Sequence, residues 1–129
     1  MKEVAILRFD GSYRMKKSTG SAGGSLFVGN IEVAIVREDF KCSSPVEAEY
    51  RALICTIQKA LELGFKHLKI EGDNEVVIKQ MNNDVRCHDK SIKRLRGRAR
   101  MLASFLDSVS FTWIPREQNK RADELSKRH

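Results

Sequence analysis

Ser44-Pro45-Val46-Glu47-Ala48-Glu49-Tyr50-Arg51-Ala52-Leu53 is the stretch on which the fold of this chain turns. Ser44 is suited to cap a helix, and Pro45 to open it, because the N–H that proline lacks would be unpaired there anyway. Glu47, three residues after the cap, completes a capping box. Val46, Tyr50, Leu53, Ile57, Ala60 and Leu61 then recur at helical spacing until Gly64 supplies the stop. Glu49 falls beside Leu53 on the same side. A carboxylate bordering a buried stripe requires either a Lys or Arg partner or a metal ion.

Upstream, Val4-Ala5-Ile6-Leu7 is a nearly continuous apolar run, as for a strand covered on both faces. It ends at Phe9-Asp10, before a polar segment rich in Lys, Ser and Gly, so Asp10 is expected at a strand's C-terminal end. Residues 22–28 and 31–36 add two strands joined by the tight turn Gly29-Asn30, completing an antiparallel meander. Downstream, residues 67–71 carry Leu68 and Ile70 as a fourth strand. Asp73 follows at the junction with a short helix holding Val76, Val77 and Ile78, where it could equally be an N-cap.

A longer helix over residues 91–106 turns Ile92, Leu95, Ala99, Leu102 and Leu106 inward. Lys93, Arg94, Arg96, Arg98 and Arg100 occupy much of its remaining surface, as solvated charge or as a phosphate-binding face. Val109, Phe111 and Trp113 alternate with Ser110 and Thr112 in a fifth strand, with Trp113 assigned to the core. Asn119 caps a short final helix in which Ala122 and Leu125 pack inward and Asp123 projects one turn from the start. No repeat, low-complexity tract or linker breaks this order, and residues 1–129 are expected to form one domain.

At 129 residues, 41% apolar and 32% charged, the chain reads as globular, large enough to bury roughly two thirds of its unfolded surface. Its 24 Lys and Arg against 17 Asp and Glu give a net charge of +7 and a pI near 9.5, which favours polyanionic partners such as nucleic acid. No apolar run approaches the roughly 18 residues of a membrane span, and Met1-Lys2-Glu3 passes directly into a strand, so the default location is cytoplasmic. Cys42, Cys55 and Cys87 are odd in number and widely spaced, which points to reduced thiols rather than disulfides or zinc. His67, His88 and His129 are scattered and read as surface or packing residues.

Four acids thus stand in recognisable settings: Phe9-Asp10-Gly11-Ser12, Ala48-Glu49-Tyr50-Arg51-Ala52-Leu53, Gly72-Asp73-Asn74 and Asn119-Lys120-Arg121-Ala122-Asp123. Crowded together without cations they would repel one another, so convergence implies bound metal. Taken in order across essentially the whole chain, these pieces resemble the type I ribonuclease H family. The resemblance implies an α/β fold with a mixed five-stranded sheet, three antiparallel strands then two parallel, flanked by helices on both faces. It implies hydrolysis of the RNA strand of RNA–DNA hybrids with two Mg²⁺ ions, Mn²⁺ being a possible substitute, leaving a 3′-hydroxyl and a 5′-phosphate. Asp10 then resembles the bridging ligand, Glu49 and Asp73 the ligands on the leaving-group side, and Asp123 the ligand nearest the attacking water.

Gly11, Ser12 and Asn74, beside these acids, are assigned to substrate, along with Ser44, the basic Lys16 and Lys17, and Arg94, Arg96 and Arg98. The chain departs from the family in four places, the first being Arg14-Met15-Lys16-Lys17-Ser18-Thr19, which is longer and more basic than the Gly-Asn-Pro-Gly common elsewhere. Ser44-Pro45-Val46 stands where many members carry Thr-Asn-Asn. The loop before the last acid has no histidine, with Arg116 or Glu117 as replacements. The basic protrusion is absent, which leaves the helix around Lys93 to Arg100 to take its part. The expected partner is an RNA–DNA hybrid, with no membrane and no obligate protein partner, the chain acting as a monomer. Other readings on the same fold are a catalytically silent nucleic-acid-binding domain and a DNA nuclease or resolvase; the complete acidic quartet counts against the first, and the Ala-Glu-Tyr and Asn119 to Asp123 motifs against the second.

Overall fold

The helix read from Ser44 to Gly64 forms as α1 (Pro45–Glu62) in the computed structural model, which describes residues 3–127. Ser44 Oγ accepts the Glu47 N–H at 3.2 Å, and Glu47 Oε1 accepts the N–H of Ser43 at 2.9 Å. At the other end Gly64 takes φ +86°, and the Gly64 and Phe65 N–H groups return to the Leu61 and Ala60 carbonyls. That left-handed turn is open to glycine without strain, and it satisfies carbonyls the helix would leave orphaned.

Around α1 the chain runs β1 (Val4–Arg14), β2 (Thr19–Val28), β3 (Ile31–Lys41), then β4 (His67–Gly72), α2 (Glu75–Met81), α3 (Lys90–Ala103), β5 (Ser108–Trp113) and α4 (Lys120–Lys127). The five strands form one sheet in the order β3-β2-β1-β4-β5. β1, β2 and β3 pair antiparallel, and β1, β4 and β5 parallel. Alternation along β2 shows how the layers stack. A Cβ on Gly24 would strike Thr56 of α1, whereas one on Gly23 would lie 2.3 Å from the Ala122 carbonyl and the Ser126 nitrogen of α4. Side chains of successive residues point to opposite faces, so α1 and α4 cover opposite sides of the sheet. On the α1 side Leu7, Phe9, Leu26, Tyr50, Leu53 and Ile57 are fully buried, and α3 packs onto α1 and α2.

Several boundaries differ from the sequence expectation. β1 does not end at Asp10 but continues to Arg14, because its antiparallel ladder with β2 carries on from Asp10↔Gly23 to Arg14↔Thr19. The polar segment shrinks to a 3-10 turn at Met15–Lys17 closed by Ser18, and β3 extends to Lys41. α3 stops at Ala103, with Ile92, Ala99 and Ala103 buried while Leu95 and Leu102 are only half-buried. Trp113, assigned to the core, is 48% exposed, since β5 is an edge strand and Trp113 is left at its uncovered end. The three cysteines are free, and among the described residues no helix is long and apolar enough to cross a membrane.

Candidate active site

Parallel pairing of β1 with β4 stops at Phe9 and Gly72, while β1 runs on beside β2 alone. Where β4 leaves, a cleft of about 390 Å³ opens, lined by Asp10, Gly11, Ser12, Glu49, Asp73, Arg116, Asp123 and Lys127. The four acids come from β1, α1, the β4–α2 junction and α4. One oxygen from each of Asp10, Glu49 and Asp73 lies within 4.8 Å of the other two. Asp123 stands beside this trio, in hydrogen-bonding reach of Asp10.

Each member of the trio is held from a distant part of the chain. The Gly11 N–H donates to Glu49 Oε1 at 2.6 Å. The Ser126 hydroxyl, with one proton to give, lies 3.1 Å from Asp10 Oδ2 and 2.9 Å from the Asp123 carbonyl. The Asn119 amide donates to the Phe9 carbonyl at 2.9 Å and to Asp73 Oδ2 at 3.2 Å. Asn119 is fully buried and its Oδ1 has no hydrogen-bond partner among the described residues, a penalty on the order of 1–3 kcal/mol that its two donations must outweigh.

The electrostatics separate these acids from ordinary surface carboxylates. Among the described residues no ion pair reaches Asp10, Glu49 or Asp73. Burial, reinforced by the Asp73 charge, pushes the Asp10 carboxyl up to about 7. Burial and then the Asp10 charge likewise raise Glu49 well above the usual range, against the lowering effect of the Gly11 N–H. Asp123 goes the other way: burial opposes its charge, but Lys127, Asp10 and Arg116 outweigh it and hold the carboxyl low.

The structural alternatives for two of the acids therefore fall away. Glu49 has no Lys or Arg partner among the described residues, and the N-cap of α2 is Asn74, whose Oδ1 accepts from Val77 N–H, not Asp73. An all-oxygen donor set with no ion-pair partner fits a hard divalent cation, and the trio could hold a metal ion.

The remaining sequence-assigned residues are spread more widely. Gly11 and Ser12 line the cleft. The absence of a side chain at Gly11 serves packing, however, since a Cβ there would lie 2.3 Å from the Ala48 backbone at the start of α1. Ser12 Oγ donates to the Ser126 carbonyl at 2.8 Å. Ser44 and Asn74 are spent as helix caps, and neither lines the cleft; Ser44 borders a neighbouring groove shared with Val46, Val76 and Arg86. Lys16 and Lys17 are exposed on the β1–β2 turn. On α3, Arg94 is exposed, Arg98 flanks a small pocket over Cys55, and Arg96 joins Lys93, Arg86 and His88 in a groove of about 430 Å³. Arg100 is committed internally, donating to the Gln80 carbonyl and to Asn83 Oδ1.

Sequence reasoning missed Ser126 and Lys127 and gave Asn119 a different task. Their signal was spacing from Asp123: Asn119 one turn before, Ser126 and Lys127 one turn after, so that all share its face of α4.

A mixed sheet in this strand order, with acids converging where β4 departs from β1, defines a ribonuclease H-like fold. Residues 8–129 match the family model described as reverse transcriptase-like, and the chain belongs to this ribonuclease H-like family. It is 33% identical over 119 residues to ribonuclease HI of Halobacterium salinarum, covering 92% of this chain but 60% of that protein. The crystal structure of RNase H1 from the same organism superposes with a TM-score of 0.90 at 32% identity, over 95% of this chain and 94% of that one. LC11-RNase H1, solved in complex with an RNA/DNA hybrid, superposes with a TM-score of 0.87 over 94% and 92% of the two chains; at 22% identity that likeness bears on the fold alone.

Proposed function

We propose that this protein is a Mg²⁺-dependent endoribonuclease that hydrolyses the RNA strand of RNA–DNA hybrids, leaving a 3′-hydroxyl and a 5′-phosphate, with residues 1–129 acting as one catalytic domain and as a monomer. The observation that carries the reading is the convergence of Asp10, Glu49 and Asp73 within 4.8 Å, from three separate elements and with no ion pair to any of them among the described residues. Such an arrangement is costly unless a metal completes it. The 33% identity to a ribonuclease HI and the net charge of +7 both favour a nucleic-acid substrate.

Asp10, Glu49, Asp73 and Asp123 would hold two Mg²⁺ ions, or Mn²⁺ in their place. When bound, such ions lower the pKa of water and neutralise charge developing on phosphate. Everything else falls to the chain. Asn119, Ser126 and the Gly11 N–H fix the directions of the carboxylates, so little reorganisation is needed when charge develops. Ser12 lines the cleft, and its hydroxyl oxygen, whose proton goes to the Ser126 carbonyl, remains an acceptor for a ribose 2′-hydroxyl, the group that separates RNA from DNA. Arg86, His88, Lys93 and Arg96 offer phosphate contacts along the groove between α2 and α3.

The deciding experiment incubates the protein with labelled RNA–DNA hybrid, double-stranded RNA and double-stranded DNA, each with Mg²⁺, Mn²⁺ or chelator. Cutting of the hybrid's RNA strand alone, and only with metal, is the expected result. Binding without cutting under every metal condition would instead identify a silent binding domain, and cutting of duplex DNA a different nuclease.

A further inference from the structure

The four acids differ in what already neutralises them. The trio has no ion pair among the described residues, whereas Asp123 carries two cations on a single oxygen. Lys127 Nζ lies 3.0 Å and Arg116 Nη2 3.6 Å from Asp123 Oδ1. Both cations line the cleft, and their side chains are 51% and 70% exposed. The backbone that presents Lys127 is fixed, because Ser12 Oγ holds the Ser126 carbonyl at 2.8 Å and the Ser126 side chain is fully buried against β1. The ammonium itself rides on a flexible stem, so it can leave without disturbing α4.

We infer that Lys127, with Arg116 in support, is an internal counter-ion for Asp123 that a second divalent cation must displace, so the two ends of the carboxylate cluster fill unequally. The inference rests on the two-metal reading above. A first ion entering among Asp10, Glu49 and Asp73 has no ion pair of the described residues to break. A second, which needs Asp123, competes with a lysine one helical turn away that is already in contact. Lys127 acts through Asp123 and is a positioning residue, not a catalytic one. An exposed ion pair holds its partner weakly, but a divalent competitor feels the missing positive charge twice over, so the effect of removing it is about tenfold at low salt.

The test is Mn²⁺ binding to the whole protein without nucleic acid, followed by the spin-resonance signal of free Mn²⁺, for wild type, Lys127→Met, Lys127→Arg and Arg116→Gln. Wild type should bind one ion tightly and a second far more weakly. Lys127→Met should tighten the second about tenfold and leave the first within about twofold. Lys127→Arg should retain the wild-type pattern, and Arg116→Gln should shift the second ion less than Lys127→Met does, as its longer contact requires. Identical second-ion affinity in wild type and Lys127→Met overturns the inference and leaves the metal site standing. If no variant binds any Mn²⁺ and Asp10→Asn changes nothing, the metal reading itself falls, and the counter-ion role with it.

Discussion

The acidic cleft and the basic groove beside the α2–α3 connection are both charged, and they are built in opposite ways. In the cleft each member of the acidic trio is tied to a group remote in sequence, and Asp10 and Glu49 are buried. In the groove Arg86, His88 and Lys93 are exposed and Arg96 is half-buried, and the connection is held by local contacts such as Arg100 to Asn83 and Asp89 capping α3. The difference follows from what each would hold. A divalent ion demands ligand oxygens at bonding distance, which only a rigid frame delivers. A polyanion is attracted over about 8–10 Å at ordinary salt, so approximate placement of cations is enough.

Replacing a trio member should give the largest effect, and it separates the two regions cleanly. Asp10→Asn is expected to reduce hybrid cleavage by about three orders of magnitude or more, the several kcal/mol of charge stabilisation that a metal supplies. Hybrid affinity should change little, and the metal-free melting temperature should hold or rise because a repelling charge has gone. Glu49→Gln and Asp73→Asn should behave alike, with Asp123→Asn retaining more activity. Near wild-type turnover for Asp10→Asn, measured on the labelled hybrid, sinks the proposed mechanism.

The pH dependence of stability should carry the same signature. Asp10 titrates near 7 in the folded, metal-free protein and near 4 once unfolded. Between those values the unfolded chain has released a proton that the folded chain keeps, so this group makes stability fall as pH rises from about 4 to about 7, by at most about 4 kcal/mol, and leaves it flat above. Glu49, raised for the same reason, adds to the fall. Asp123, Glu32 and Glu47, whose carboxyls are held low, contribute the reverse, stability present above their unfolded values and lost on acidification. The informative quantity is therefore a difference. Thermal melts across pH 4–8 should show wild type losing stability relative to Asp10→Asn as pH rises, and Mg²⁺ should abolish that divergence by stabilising the charged form.

Smaller effects are expected from the frame. Asn119→Ala should cost about 2–3 kcal/mol, since it leaves the Phe9 carbonyl and Asp73 Oδ2 without their donor, and it should lower turnover as well. Gly11→Ala should destabilise by about 1–3 kcal/mol through overpacking against Ala48. Denaturant titration measures both; an unchanged midpoint for Gly11→Ala would return that glycine to a role in substrate approach. The smallest effect belongs to the groove. Arg86→Gln with Arg96→Gln should weaken hybrid binding equally for every sequence and shallow the logarithmic salt dependence by about one per lost phosphate contact, with maximal turnover unaltered. If affinity and slope do not move, the groove is a solvated surface and the turn bearing Lys16 and Lys17 is the next candidate.

The sequence by itself determined the elements and their order: the cap at Ser44, the proline opening, the stop at Gly64, the apolar core of β1 and the four settings that mark the acids. Those signals act within a turn or a strand, where neighbouring residues decide φ, ψ and which face is apolar. What the tertiary structure alone decided lies across the chain. β1 runs past Asp10 because β2 is there to pair with it, and Trp113 is exposed because β5 has a neighbour on one side only. Asn119 turns its amide to Phe9 and Asp73, 110 and 46 residues away, and Asp123 alone of the four is matched by cations of the described chain. A contact over such separations depends on how sheet and helices stack, and no local periodicity records it; the identities of the acids were legible, and their inequality was not.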